Sequence, residues 1–331
     1  MKAAIVGCGG IAQVQANVLL AMEEATLVAC ADIKREKSEA FAQRFQCRPY
    51  FSLETMLESE PIDVLHVLTP HCLHVPMALQ AAEKGVHVFV EKPAYIQPQG
   101  FRQLKEAAER VRVGVCFQNR YNANTRLAQS LLAGGGAGRP LGARAFVTWS
   151  RGEEYDRQSG WRGVLQTEGG GALINQGIHT LDLLVQLLGK PQGVSAAIAN
   201  RHLPGIIEVE DTVEARIQFE GAAALLYVST GYSGNPPVII EIDCENCRIR
   251  LEDPNLQIWW KDGRREEIHF EQAAMLGKAY WGTGHDSCIR DFYRSIQQQT
   301  PFCVDVESVK PTMDLLFGLY HSARENTPVK L

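Results

Sequence analysis

At 331 residues, with 45% hydrophobic and 21% charged residues, the chain is long enough for two domains with full cores and has an ordinary globular composition. A net charge of −5 provides no basic surface for a phosphate polymer, which argues against nucleic acid and anionic membrane as partners. No apolar run approaches the ~18 residues of a membrane span, and the opening Met1–Val6 is too short for a signal-peptide apolar region.

The nine cysteines are odd in number and mostly sit in apolar segments, which fits reduced thiols in a cytoplasmic protein. Cys244 and Cys247 form the only close pair, with no second pair or nearby histidines, so no metal site is expected.

Residues 2–6 read as a short apolar strand that runs into Gly7-Cys8-Gly9-Gly10-Ile11-Ala12, a G-x-G-x-x-A loop, and then into a helical pattern. In such a loop Gly7 makes the tight turn and Gly9 lets the backbone approach a pyrophosphate. Ala12 lets the helix pack close to the sheet, and the helix start at Gly10 and Ile11 donates N–H groups to the phosphate. A second strand, Thr26–Ala31, ends in Asp32. A carboxylate there accepts hydrogen bonds from both ribose hydroxyls and repels a 2′-phosphate, which favours NAD over NADP. Lys34 and Arg35 follow closely and weaken that preference without removing it; they also fit solvated positions on the next helix.

Strand and helix patterns then alternate. Asp63–Leu68 reads as a buried strand ending at Thr69-Pro70, and His87–Val90 as another, ending in Glu91-Lys92-Pro93. A helix over Gln99–Arg110 and a strand over Val113–Phe117 lead to Gln118. Repeated units of this kind predict a doubly wound Rossmann sheet whose ligands bind beyond the C-terminal strand ends, where Gly7, Asp32, Thr69 and Lys92 all stand. We place the boundary of this domain at residues 1–121.

From 122 to 331 the pattern changes. Val213, Ala215, Ile217 and Phe219 alternate with Thr212, Glu214, Arg216, Gln218 and Glu220. Further strands are expected over 144–150, 222–229, 238–243 and 248–251. This predicts a mostly antiparallel, open-faced sheet covered by helices on one side, with the other face free to pair in a homodimer or homotetramer. Helices near 286–297 and 307–324 close the chain.

Within this second domain, Gly169-Gly170-Gly171 leads into an apolar-periodic helix over about 172–188, stopped by Gly189 and Pro191. Leu173, Gly177, Leu181, Leu184 and Leu188 form its buried stripe, while Asn175, His179 and Asp182 lie on another. The glycines allow a ligand or another backbone to approach the helix start. By itself such a stripe fits a core histidine hydrogen-bonded to Asp182. The segment 149–162 adds Trp149, Arg151, Tyr155, Arg157, Trp161 and Arg162, aromatic faces for a sugar ring and guanidinium groups for a carboxylate or phosphate. Glu153, Glu154 and Asp156 are interleaved, so its net charge is small.

These motifs together resemble the glucose–fructose oxidoreductase/inositol dehydrogenase (Gfo/Idh/MocA) family over nearly the whole chain. They are the Gly7–Ala12 loop, Thr69-Pro70 through His74, Val90–Pro93, Ser159–Gly163, the Gly169–Asp182 helix and the closing region from His285. The resemblance implies an NAD(P)-dependent dehydrogenase that moves a hydride between nicotinamide C4 and a hydroxyl-bearing carbon of a sugar, cyclitol or sugar derivative.

It makes Lys92 and His179 the catalytic pair, with Asp182 or a backbone carbonyl fixing the histidine tautomer. Asn175, Tyr155, Arg157 and Arg162 would meet the substrate. Gly7, Gly9, Gly10, Ile11, Asp32, Thr69, Pro70, His71, His74, Glu91, Lys92, Gln118, Trp161 and Arg162 would meet NAD or, less readily, NADP. Asn175 stands where many members carry aspartate, and an amide cannot take a proton. Two alternatives share the scaffold: an NAD-dependent glycosidase working by transient oxidation and elimination, and a non-catalytic dinucleotide-sensing regulator.

Overall fold

In a computed structural model, described over residues 1–270 and 284–331, the chain divides into two units. The first holds six parallel strands: β1 (Lys2–Val6), β2 (Thr26–Ala31), β3 (Arg48–Tyr50), β4 (Val64–Val67), β5 (His87–Glu91) and β6 (Val113–Cys116). Their order is β3-β2-β1-β4-β5-β6, with the reversal between β1 and β4 that opens a crevice at the carboxyl strand ends. The central strands are buried on both faces; Ala3, Ala4, Ile5, Val64, Leu65, Val88, Phe89 and Val90 are all inaccessible to solvent. That double burial explains why they read as continuous apolar runs rather than alternating ones.

The division between the units falls at Gln118/Asn119, three residues before the boundary drawn from sequence, but it is not a single cut. Residues 284–310 belong with the first unit, not with the second as the sequence suggested. The reason is packing: helix His285–Gln297 buries Cys288, Ile289, Phe292 and Tyr293, and Phe292 and Phe302 fill the space over Gly114 of β6. A Cβ at Gly114 would lie 2.6 Å from the Phe292 ring, so only glycine lets that ring onto the strand. Amphipathic periodicity reveals that a helix has a buried face, but not which sheet covers it.

The second unit is built on nine strands in the order β14-β13-β12-β11-β7-β10-β9-β8-β15. They are β7 (Pro140–Thr148), β8 (Gly193–Ala199), β9 (Thr212–Phe219), β10 (Ala222–Ser229), β11 (Ile239–Cys244), β12 (Cys247–Glu252), β13 (Asn255–Trp260), β14 (Arg265–Ile268) and β15 (Val329–Lys330). All pairings are antiparallel except β7 with β10. Along β9 and β10 the alternation places Val213, Ile217, Ala224, Leu226 and Val228 in the core and leaves Glu214, Arg216 and Leu225 outward. Among the described residues no helix is long and apolar enough to cross a membrane.

The expected helix over 172–188 is present but composite: a π-helical turn, Leu173–Gly177, runs into an α-helix, Ile178–Leu188. The glycines before it serve packing within this unit. A Cβ on Gly171 would lie 1.9 Å from the Glu210 carbonyl oxygen, and one on Gly170 would lie 2.1 Å from the Tyr320 hydroxyl. Of the two approaches that the sequence allowed, backbone and side chain take the place, not a ligand. The Glu210 carboxylate accepts from the N–H groups of Gly171 (2.9 Å) and Leu173 (3.0 Å) and from the Tyr320 hydroxyl (2.9 Å), which satisfies the helix start.

Candidate active site

In the first unit the loop after β1 is shaped for a dinucleotide. Gly7 adopts a φ of +93°, and a Cβ there would strike the Leu68 carbonyl oxygen at 2.5 Å, so the tight turn requires glycine. Gly9 has nothing within 4 Å of an added Cβ, which is the open approach a pyrophosphate needs. The helix Gly10–Leu20 has no side-chain cap at Gly9, so its first N–H groups are presented to an anion. The Asp32 carboxylate accepts from the backbone N–H of Cys8 and of Lys34, both at 2.9 Å. Those bonds tie the carboxylate to the glycine loop and fix the position in which it would receive ribose hydroxyls. At the end of β4, Thr69 Oγ1 is buried without a hydrogen-bond partner among the described residues, a polar atom waiting for a ligand.

His74 differs from the expectation. Its ring nitrogens face the backbone carbonyls of Pro93 (2.8 Å) and Thr69 (2.9 Å), and burial pushes its pKa down to about 4. It braces two loops at the strand ends, so any effect on a cofactor is indirect.

Lys92 directly follows β5, half-buried, and its own N–H lies 3.2 Å from Oε2 of the buried Glu91. Glu91, Cys116 and His285 are all buried, and one atom of each lies within 4.8 Å of the others. Gln15 donates a hydrogen bond to Glu91 Oε1 at 2.7 Å and directs the same amide nitrogen at Cys116 Sγ, 4.0 Å away. That donor makes the Glu91 carboxylate part of a buried hydrogen-bonded network.

In the second unit, between residues 172 and 185 only Asn175 and His179 are half-buried; every other residue is buried. The third member of the polar stripe, Asp182, does not join them. Its carboxylate accepts from Arg120 Nε (2.8 Å) and Nη2 (2.6 Å) and from Thr312 Oγ1 (2.8 Å), with Arg120 and Thr312 also buried. The sequence suggestion that Asp182 orients His179 is therefore corrected: Asp182 is the partner of a buried arginine and belongs to the fold.

The aromatic and basic segment is partly assembled. The Arg162 guanidinium lies over the rings of Tyr155 (4.5 Å) and Trp161 (4.7 Å), and its buried Nε has no hydrogen-bond partner among the described residues. The Tyr155 hydroxyl lies 3.4 Å from Gln176 Nε2, which ties this segment to the helix carrying Asn175 and His179. Arg157 does not take part: it is 72% exposed and paired with Glu153 one turn away.

A residue that sequence reasoning passed over is Glu168, 2% exposed. Its carboxylate accepts from Asn175 Nδ2 (2.5 Å) and from the Gly163 N–H (2.6 Å). Burial raises its pKa to about 7, against the opposing effect of those two bonds. The available signal was position alone, a carboxylate directly before a glycine run.

Two family profiles match the chain: the oxidoreductase family with NAD-binding Rossmann fold over residues 1–118, and the GFO/IDH/MocA C-terminal domain over 125–250. The chain belongs to the GFO/IDH/MocA oxidoreductase family. D-glucoside 3-dehydrogenase of Escherichia coli is 27% identical across 100% of this chain and 97% of the relative. The WlbA dehydrogenase of Bordetella pertussis, in complex with NADH and UDP-GlcNAcA, has a TM-score of 0.87 at 29% identity over 100% of this chain and 98% of that one. Levoglucosan dehydrogenase bound to NADH and levoglucosan has a TM-score of 0.89 at 20% identity, over 100% of this chain and 99% of that one, and shares the fold. As a GFO/IDH/MocA member, the protein is an oxidoreductase with an NAD-binding domain, and its glycine loop, Asp32 and Thr69 fit that cofactor.

Proposed function

We propose that this protein is an NAD-dependent dehydrogenase that oxidises a carbinol carbon of a sugar derivative bearing a carboxylate or phosphate. The observation that carries the reading is the pair Asn175 and His179, the only partly exposed positions on an otherwise buried stretch of helix. Bound NAD would accept the hydride at nicotinamide C4.

Lys92 removes the hydroxyl proton in oxidation and returns it in reduction, with His179 sharing the proton at the same hydroxyl. Asn175, held through its amide nitrogen by Glu168, binds and orients a neighbouring hydroxyl. Tyr155 and Trp161 offer ring faces to the sugar, and Arg162, stacked on both, pairs with an anion through its remaining N–H groups. The anionic class is supported by this guanidinium and by the UDP-GlcNAcA complex of the WlbA dehydrogenase. His71, Gln118 and the Pro70 turn complete the proposed cofactor set.

The outward face of the second sheet, with Leu225 61% and Phe146 36% exposed, is proposed to pair with a second copy of the chain. Neither the glycosidase nor the sensor reading gains support from the relatives described.

The test is a panel of neutral sugars, sugar phosphates, uronates and nucleotide-linked uronates, followed at the NADH absorbance with NAD and NADP in parallel. Turnover with an anionic sugar derivative and NAD is expected. No NADH from any member would overturn the reading.

A further inference from the structure

Beneath Lys92 the first unit contains a chain of buried polar side chains that no step above uses. Tyr293 and His66 have no solvent exposure, and neither does Gln15. The Tyr293 hydroxyl lies 3.0 Å from His66 Nε2, His66 Nδ1 lies 2.6 Å from Gln15 Oε1, and Gln15 Nε2 lies 2.7 Å from Glu91 Oε1.

The chemistry of each group fixes the direction. An amide nitrogen can only donate, so Gln15 gives a hydrogen to Glu91 and its Oε1 must accept. His66 therefore carries its proton on Nδ1. Burial pushes its pKa down to about 3, so the ring is neutral and its bare Nε2 accepts from Tyr293. Every donor in the series points toward the same carboxylate.

We propose that Tyr293, His66 and Gln15 are positioning residues that hold the buried Glu91 carboxylate as an anion and thereby set the proton affinity of Lys92. Three aligned donors polarise one another, and the last hydrogen of the series falls on Glu91 Oε1. Burial raises the Glu91 pKa, and the Lys92 charge, the Cys116 thiol, the Lys92 N–H and then the Gln15 bond each pull it part of the way back.

Among the groups facing Glu91, Lys92 is the one whose charge acts on the carboxylate. From β6, the Cys116 thiol is pushed well above its ordinary pKa by burial and remains neutral. From helix His285–Gln297, His285 is pushed down to about 4 by burial and remains neutral, while Cys288 faces Cys116 from behind. His74, near Lys92, is also neutral, with a pKa of about 4. An anion beside an ammonium stabilises the charged lysine, so the chain holds Lys92 protonated to higher pH than burial would allow. The pH at which Lys92 becomes a base is then written in residues that never touch substrate.

This inference rests on the proposed role of Lys92, and its test separates the two. The Lys92 titration is followed by NMR of isotope-labelled lysine side chains in the full-length protein, with the resonance assigned by its loss in Lys92→Met. In parallel, kcat/KM for sugar oxidation is measured against pH. Glu91→Gln is expected to lower the Lys92 midpoint by about one pH unit or more, and to move the acid limb of the rate profile to lower pH by the same amount. Gln15→Leu should shift both in the same direction by less. The double variant should go no further than Glu91→Gln alone, because both act through one carboxylate.

If Gln15→Leu does not fold, Tyr293→Phe removes only a hydroxyl and must still lower the midpoint measurably. A Lys92 midpoint that does not move, rises, or shifts additively in the double variant overturns the inference, as does a loss of rate that is uniform with pH. If the midpoint moves as expected while the wild type oxidises no sugar, the functional reading fails and the network stands.

Discussion

Replacing Asp182 separates a fold anchor from a catalytic partner, because the two roles predict different losses. Asp182→Ala removes the carboxylate that pairs with the buried Arg120 guanidinium at 2.8 and 2.6 Å. Stranding one member of a buried pair costs about 3–5 kcal/mol, and the lost bond from Thr312, at 2.8 Å, adds about 1 kcal/mol. Against a typical total stability of about 5–15 kcal/mol, that is enough to lower the urea midpoint of this unit substantially.

Replacing both partners by apolar residues, Asp182→Leu with Arg120→Met, removes the stranded charge and should recover most of the loss. Chemical denaturation read by circular dichroism, alongside turnover per folded molecule, is the assay. Activity of the folded fraction should remain within a few-fold of wild type. A variant of unchanged stability with a displaced pH–rate profile would refute the reasoning and return Asp182 to His179.

Three further outcomes follow from the geometry. Asp32→Ser should narrow or invert the preference for NAD over NADP in binding titrations, since the carboxylate that receives the ribose hydroxyls is gone. Gly9→Ala should fold normally, because nothing lies within 4 Å of the added Cβ, yet weaken NAD binding by tenfold or more on the order of 1.4 kcal/mol. Glu168, moved from its ordinary 4.5 to about 7, binds its proton more tightly in the folded state, so its stabilisation is complete below about 4.5 and is lost as pH rises through about 7. Denaturation midpoints should therefore show Glu168→Gln gaining on wild type across that window, by up to about 3 kcal/mol, and a constant difference would contradict the assignment.

The first unit was the more legible in the sequence, and the reason is physical. Gly7, Asp32, Thr69 and Lys92 each follow a mostly apolar strand run, and in a parallel sheet all such ends meet at one edge. The second unit shows its strands only where alternation is strong. The strand expected over 222–229 is β10 to the residue, whereas β8 (Gly193–Ala199), rich in alanine, and the short β13 and β14 carry too little contrast between faces.

The polar stripe was misread at Asp182 because spacing on a helix shows which residues are near one another in sequence. It does not show that a buried arginine sixty-two positions earlier claims the carboxylate. The π-helical turn at Leu173–Gly177 leaves no composition signal, and it changes the phase between Asn175 and the residues that follow. The Tyr293–His66–Gln15 chain is a long-range assembly of residue types that, one at a time, look like ordinary polar positions, and Glu168 meets its partners five and seven residues away with no periodicity to mark them.

The central claim is that Lys92 and His179 act on one substrate hydroxyl. Its most direct test is single-turnover oxidation of the best substrate from the panel by Lys92→Ala, His179→Ala and the double variant, with NAD affinity measured separately. Lys92→Ala should lower the chemical step by orders of magnitude with NAD affinity changed only a few-fold, His179→Ala should lower it less, and the double variant should be no worse than Lys92→Ala. Strictly additive losses, or a Lys92→Ala enzyme that still turns over at the wild-type rate, would contradict it.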